Sequence, residues 1–348
     1  MIEEIRFVNR IGEIEALRHW ASTFRAAPLY IYGPEGCGKT RLLKEFVRKF
    51  NEYFGEEGIA IYIDALEGID IKKAIFASRH SKEILDVSIE FSMNILKMGM
   101  PLGQALASSI SLIIDKVVEK VFARSFRDKY ILVAIDDVAR AIGLDRVEWY
   151  VKWLYELMWK LYEDYKPKAI NFIVTTSEGK SLDLVSRHRH AHVRLIWNLD
   201  KKSFEELFYE LEPSSKIDFE EVWRLLGGNP GKLIELARQF EWNIYEMKSH
   251  YKKLLYPLVL NISREGLIKD LEDLLNDVDS LVTDPSPRKG KLQEMLIEKN
   301  LIIYVNMTTL HKEEVRPDSE IGVGKYFAWQ VPLYRDVIME IVNELVKR

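Results

Sequence analysis

The sequence predicts an α/β core built on a parallel sheet of five strands. Two smaller modules follow it, one helical and one of helices with a β-hairpin. Three observations carry that prediction. In roughly the first two hundred residues, short β-branched and apolar runs alternate with amphipathic stretches, the pattern of parallel strands joined by crossover helices. After Leu199 the strand signal stops and helical periods take over. Near the C-terminus, two short apolar runs bracket a polar loop ahead of one last helix.

Length and composition set the bounds. A chain of 348 residues suits two or three domains, and 47% hydrophobic with 30% charged residues suits packed cores under a charged surface. No apolar run approaches the roughly 20 residues that span a bilayer, and Met1-Ile2-Glu3-Glu4 does not read as a secretory signal. A cytoplasmic protein without membrane association is expected. The single cysteine, Cys37, excludes an internal disulfide framework and a Cys-rich zinc site. A net charge of −4 offers no global attraction for nucleic acid.

The five core strands are read at Leu29–Tyr32, Ile59–Asp64, Tyr130–Asp136, Asn171–Thr176 and His192–Ile196, with helices starting near Gly12, Gly38, Ile71 and Arg146. Residues 69–126 are long and apolar and read as helices inserted between the second and third strands. Beyond the core at 1–198, residues 199–252 form a helical lid. There Lys201–Leu211 and Asp218–Leu226 have helical period, and Gly227-Gly228-Asn229-Pro230 breaks them before a further helix. Residues 253–348 form a winged-helix domain, with strands at Leu301–Asn306 and Tyr326–Val331. Its last helix starts at Pro332, where the missing N–H is not needed.

The strongest motif lies between the first strand and the helix after it. Gly33-Pro34-Glu35-Gly36-Cys37-Gly38-Lys39-Thr40 fits G-x-x-x-x-G-K-[ST], the phosphate-binding P-loop. Phosphate needs several backbone N–H groups at close approach, which small residues permit, and a helix N-terminus adds its positive dipole end. Lys39 then reaches the β- and γ-phosphates, the Thr40 hydroxyl binds Mg²⁺, and Arg41 follows in the helix. ATP or ADP with Mg²⁺ is the expected ligand. Cys37 is expected to turn its side chain outward and lend only its backbone.

The run Tyr130-Ile131-Leu132-Val133-Ala134-Ile135 ends in Asp136-Asp137, as a buried parallel strand opening into a ligand crevice would. Asp136 is the candidate metal carboxylate, acting through water, and Asp137 the candidate general base. At the tip of the next strand, Thr175-Thr176-Ser177 offers a hydroxyl, with Thr176 the foremost candidate, for touching the γ-phosphate or orienting water. Thr and Ser at strand ends also serve simply as turn formers.

With these motifs the chain resembles archaeal ATPases of the AAA+/STAND group of P-loop NTPases, in which an ATPase core precedes a helical lid and a winged helix. Phe7-Val8-Asn9-Arg10 with Glu13 and Leu17 looks like that family's N-terminal motif, and Gly227-Gly228-Asn229-Pro230 like its Gly-Gly-x-Pro lid motif. The resemblance implies that Val8, Asn9 and Pro230 flank adenine, with Arg10 beside them. It also implies an ATPase whose lid moves with nucleotide state. Many relatives with strong hydrolysis carry Glu where this chain has Asp137, so slow turnover is expected. Arg187 and Arg189, ahead of the fifth strand, stand near the position from which a relative's arginine reaches a neighbouring subunit's γ-phosphate. A solvated basic turn is the plainer reading of them.

Partners follow from charge. Residues 253–348 hold 13 Lys and Arg against 16 Asp and Glu, a poor balance for gripping duplex phosphates. Residues 166–202 hold 8 basic and 3 acidic residues, a patch open to DNA or to a partner subunit. The leading reading is a slow nucleotide-driven switch acting on a protein or nucleic-acid partner, or through self-association. A DNA-binding loader resembling origin-recognition proteins is the alternative. A small-molecule P-loop kinase fits less well, because no arginine-rich substrate lid is evident.

Overall fold

The computed structural model describes residues 5–66, 75–78, 126–176, 182, 185 and 189–347. These fall into two compact units. One comprises Arg10–Tyr32 and Lys39–Arg194, the other Met1–Asn9, Gly33–Gly38 and Leu195–Arg348.

The first unit is the α/β core. Its described helices are α1 (Ile11–Ala21), α2 (Lys39–Arg48), α3 (Phe50–Phe54), α4 (Val138–Ile142) and α5 (Val147–Tyr165). Its sheet contains β1 (Leu29–Tyr32), β2 (Gly58–Asp64), β3 (Ile75–Ala77), β4 (Tyr130–Asp136), β5 (Ala169–Thr176) and β6 (His192–Leu195), in the order β3-β2-β4-β5-β1-β6. The five strands expected from the sequence are all present. The sixth, β3, is a short strand antiparallel to β2, so residues 75–77 are not helical as the insertion reading had them. The helix expected near Ile71, and most of that insertion, lie outside the described residues.

Every residue of β1 and of β5 is buried, which is why both are mostly apolar without alternation, the polar exceptions in β5 being Asn171, Thr175 and Thr176. The pairs β2–β4, β4–β5 and β1–β5 are parallel. Asp64 stands level with Asp136, and Tyr32 level with Thr176, so the carboxyl ends of neighbouring strands finish together. Helix α5 buries Val147, Tyr150, Val151, Leu154, Leu157, Met158 and Leu161, a stripe at helical spacing. It ends where Lys166 takes a left-handed φ of 48°.

The second unit is mostly helical: α6 (Lys201–Glu210), α7 (Phe219–Leu226), α8 (Pro230–Arg238), α9 (Ile244–Arg264), α10 (Ile268–Asn276), α11 (Ser280–Thr283), α12 (Pro287–Glu298) and α13 (Pro332–Val346). Side-chain caps set five of the starts. Asp200, Asp218, Asn229, Asn243 and Ser286 each accept a backbone N–H three residues on, satisfying donors the helix leaves orphaned. Helix α9 runs unbroken through residue 252, and one apolar cluster extends from Leu199 through Leu233, Val259 and Leu292 to Val342.

Strands β7 (Ile302–Tyr304) and β8 (Phe327–Trp329) pair antiparallel, with Ile302 opposite Trp329, and α13 follows at Pro332. The start of β8 is held by one carboxylate. Asp279 accepts the backbone N–H groups of Lys325, Tyr326 and Phe327 at 2.6, 2.9 and 3.0 Å. Hydrogen bonds to a charged acceptor contribute about 1.5–3 kcal/mol each, less where water shares the site. Asp279→Ala should therefore lower stability by about 2 kcal/mol in total, seen as a lower urea midpoint with unchanged slope. Asp279→Asn, which keeps one acceptor oxygen, should recover part of the loss.

Candidate functional site

The chain leaves β1 at Tyr32 and enters α2 at Lys39, so residues 33–38 are the loop between strand and helix that the motif requires. Gly36 and Gly38 take left-handed φ values of 80° and 101°, open to glycine at little cost. Lys39 is buried at 7% exposure, and Thr40 is half-buried in the first turn of α2 beside Arg41. Cys37 corrects the expectation drawn from sequence. It is fully buried, with Sγ 3.7 Å from the Ile196 carbonyl, because that carbonyl gives the thiol a partner and the surrounding backbone closes over it.

Within the second unit the loop backbone is bound to residues far along the chain. The Glu35 N–H donates to Gln330 Oε1 at 2.8 Å, and Asn229 Nδ2 donates to the Glu35 carbonyl at 2.9 Å. Next along, the Gly231 N–H donates to the Gly36 carbonyl at 3.0 Å. The two glycines must both lack side chains, since a Cβ on Gly231 would lie 2.8 Å from Gly36 Cα. Asn198 closes the network, accepting from Asn229 Nδ2 at 3.0 Å and donating to the Gln330 carbonyl at 3.0 Å. Asn229, Gln330 and Asn198 are all buried, and Asn229 also caps α8 through the Lys232 N–H. Pro230 occupies the first turn of α8, half-buried.

The N-terminal motif is placed as follows. Val8 is buried in the same apolar cluster as Leu199 and Leu233. Asn9, at a left-handed φ of 53°, donates its side-chain amide to Asp200 Oδ2 at 3.1 Å and to the Ser203 hydroxyl. In the first unit, Arg10 is 7% exposed and pairs with Glu13 at 2.6 Å, so the charge of each is balanced inside α1.

The acidic strand end of the first unit is buried and hydrogen-bonded on both sides. Asp136 is buried at 2% exposure. Its Oδ2 accepts the Tyr62 hydroxyl at 2.6 Å, and its Oδ1 accepts the Thr175 hydroxyl. Asp137 takes a left-handed φ of 51° at the start of α4 and donates its N–H to Thr175 Oγ1 at 2.9 Å. Of the Thr175-Thr176-Ser177 run, Thr175 meets Asp136, Thr176 is buried at 3% exposure on the opposite face of β5, and Ser177 lies outside the described residues. Tyr62 is the member of this cluster that no sequence motif marks. The one available signal was the strand register, which needs two strands to be aligned before it says anything.

Arg189 is exposed in the turn before β6, and Arg187 lies outside the described residues. His192 is packed edge-on against Trp20 and hydrogen-bonded to the Arg25 carbonyl at 3.3 Å, and burial lowers its pKa. Among the described residues no group of three or more His, Cys, Asp or Glu is placed to hold a metal, and no helix is long and apolar enough to cross a membrane.

Asp200 is the titratable group that ties the N-terminal segment to α6. Burial works against its charge, but the Ser203 hydroxyl and N–H overcome it and hold the carboxyl below its usual range. A carboxyl with a lowered folded pKa stabilises the fold fully above its unfolded value of about 3.9 and stops doing so as pH falls through the folded value. Thermal melts at stepwise lower pH should accordingly show wild type losing stability that Asp200→Asn does not lose. Parallel melting curves for the two proteins would remove Asp200 from that account.

Residues 7–236 match a family described as an ATPase domain predominantly from Archaea. An uncharacterized ATP-binding protein of Pyrococcus abyssi (strain GE5/Orsay) is 24% identical over 242 residues, which is 67% of this chain and 70% of that protein. Among solved structures, the ORC2 protein of Aeropyrum pernix in its ADPNP–ADP complexes aligns with a TM-score of 0.41 and 15% identity, over 99% of this chain and 95% of that one. The replication initiator DnaA bound to AMPPCP and single-stranded DNA aligns with a TM-score of 0.38 and 18% identity, over 85% of each chain. The family match spans the phosphate loop, the Asp136 strand and the Asn229–Pro230 turn, and the chain belongs to this family of ATPase domains found mainly in Archaea.

Proposed function

We propose that the chain is an ATP-dependent switch that hydrolyses its nucleotide slowly and passes the nucleotide state to its C-terminal helical module. One observation carries the reading. The Glu35–Gly36 peptide of the phosphate loop is bonded to Asn229 and Gly231 on one side and to Gln330 on the other. A loop that settles around phosphates shifts by fractions of an ångström, and close-packed contacts of this kind pass such shifts on rather than absorb them.

Mg²⁺ fits the donor set. The Thr40 hydroxyl and the Asp136 carboxylate are hard oxygen ligands, and few protein ligands with several waters is the usual arrangement for this ion. When bound, the ion would neutralise charge on the phosphates. Lys39 adds a positive charge at the start of α2, Asp136 supplies the carboxylate that metal-bound water would meet, and Asp137 orients the attacking water. Asp137 is one methylene shorter than the usual carboxylate of strongly hydrolysing relatives, which favours holding ATP over turning it over. By the same family resemblance, Val8, Asn9 and Pro230 flank the adenine, and Arg187 or Arg189 serves a neighbouring subunit; at the strand tip, a hydroxyl such as that of Thr176 touches the γ-phosphate or orients water. The C-terminal residues 253–348 act as a winged helix, with a net charge that favours a protein partner over duplex DNA.

Binding of ligand at about 100 times its Kd stabilises a protein by about 2.7 kcal/mol, enough to raise the melting temperature by several degrees. Lys39→Ala should abolish that rise with ATP and Mg²⁺, and a wild-type shift in the variant would remove the site from the loop. Removing a positioned base typically costs about 100-fold or more in rate. Asp137→Asn should therefore retain the thermal shift while phosphate release falls by about that factor. Unchanged turnover would assign the water to another group. In the same assay, stimulation of wild type by duplex DNA would favour the loader reading over a protein-directed switch.

A further inference from the structure

We propose that Tyr62 and Thr175 are positioning residues that hold the Asp136 carboxylate in the orientation in which it receives metal-bound water. The inference rests on the ATP–Mg²⁺ reading above and gives Tyr62 and Thr175, on the two strands flanking Asp136, a role at that carboxylate.

The sheet register makes the arrangement. Tyr62 on β2 stands opposite Ala134 of β4, two residues before Asp136, so Tyr62 and Asp136 share a face and meet diagonally. On the other flank Val174 of β5 stands opposite Ile135, which sets Thr175 beside Asp136. Asp136 is thus gripped from both neighbouring strands, one hydroxyl on each carboxylate oxygen.

Both hydroxyls have their direction fixed. The Tyr62 hydroxyl donates its one proton to Asp136 Oδ2 at 2.6 Å. Its ring is itself clamped, stacked on Phe76 at 4.8 Å with Lys44 Nζ 5.2 Å from its centroid. Thr175 accepts the Asp137 N–H, so its single proton goes to Asp136. One threonine oxygen therefore ties the backbone of the candidate base to the side chain of the candidate metal carboxylate.

An ionised carboxylate has about four acceptor positions. Two of those positions are used here, one on each oxygen. A carboxylate held at only one oxygen would turn about its last bond and offer those positions in no fixed direction. Partners behind a metal-binding group commonly alter metal affinity by about 10–100-fold when removed.

The test is nucleotide affinity rather than turnover. Titration calorimetry with a non-hydrolysable ATP analogue, once in EDTA and once in Mg²⁺, gives the factor by which metal strengthens binding. Tyr62→Phe keeps the ring and loses the hydroxyl, and Thr175→Val keeps the branched shape and loses both hydrogen bonds. Each should reduce the metal-dependent factor about tenfold, beyond any loss of metal-free affinity, while Thr175→Ser should preserve it. Wild-type factors in both Tyr62→Phe and Thr175→Val would overturn the inference and leave the nucleotide reading standing. A wild-type protein that gains nothing from Mg²⁺ would overturn the metal reading and this inference together. Should Tyr62→Phe fail to fold, the contrast between Thr175→Val and Thr175→Ser decides the matter alone.

Discussion

The arrangement depends on a parallel sheet whose central strands are buried along their whole length. Once both faces of β1 and β5 are covered, polar chemistry has nowhere to go but the strand ends, where the chain turns outward. Burial also fixes the register, because a slip of one residue would reverse which side chains face which layer. The levels of Asp136, Thr175 and Thr176 are therefore consequences of apolar packing several residues earlier in each strand. In the proposed function, the carboxylate of Asp136 is the point at which that packing becomes chemistry.

The phosphate loop shows a second kind of dependence. Its glycines do not merely allow close approach of a ligand. Gly36 faces Gly231 so closely that backbone meets backbone, with Asn229 and Gln330 supplying the side-chain bonds on either side. A joint made of peptide groups is stiff and short-ranged. Its stiffness comes from buried amides that would each be left unpaired if the contact opened, at about 1–3 kcal/mol apiece.

Much of this was legible in the sequence. The five core strands were found within about two residues of their observed ends. The P-loop glycines and the Asp136 strand declared themselves because their physics is local: a turn needing small residues, and an apolar run ending in acid. What stayed hidden depends on pairing between distant segments. Tyr62 looks like one more apolar strand residue until β2 is set beside β4. Gln330 sits in an unremarkable run before Pro332, and only the folded second unit brings it to Glu35. Cys37 was misjudged for the same reason, since its burial is decided by the carbonyl of Ile196. The antiparallel β3 escaped notice because a three-residue strand has too little pattern to separate it from a helical stretch.

The left-handed backbone at Asp137 bears on why a short carboxylate stands there. Among residues with a side chain, Asp and Asn tolerate this region best, because a short polar side chain can bond locally and relieve the crowding. A longer acid would extend further toward an attacking water but would sit less comfortably on a backbone that Thr175 pins through the Asp137 N–H. Reach and conformation pull in opposite directions at this one residue. Under the proposed function, keeping nucleotide settles the conflict in favour of conformation, and a fast hydrolase built on the same strand end would have to reshape the turn before it lengthened the acid.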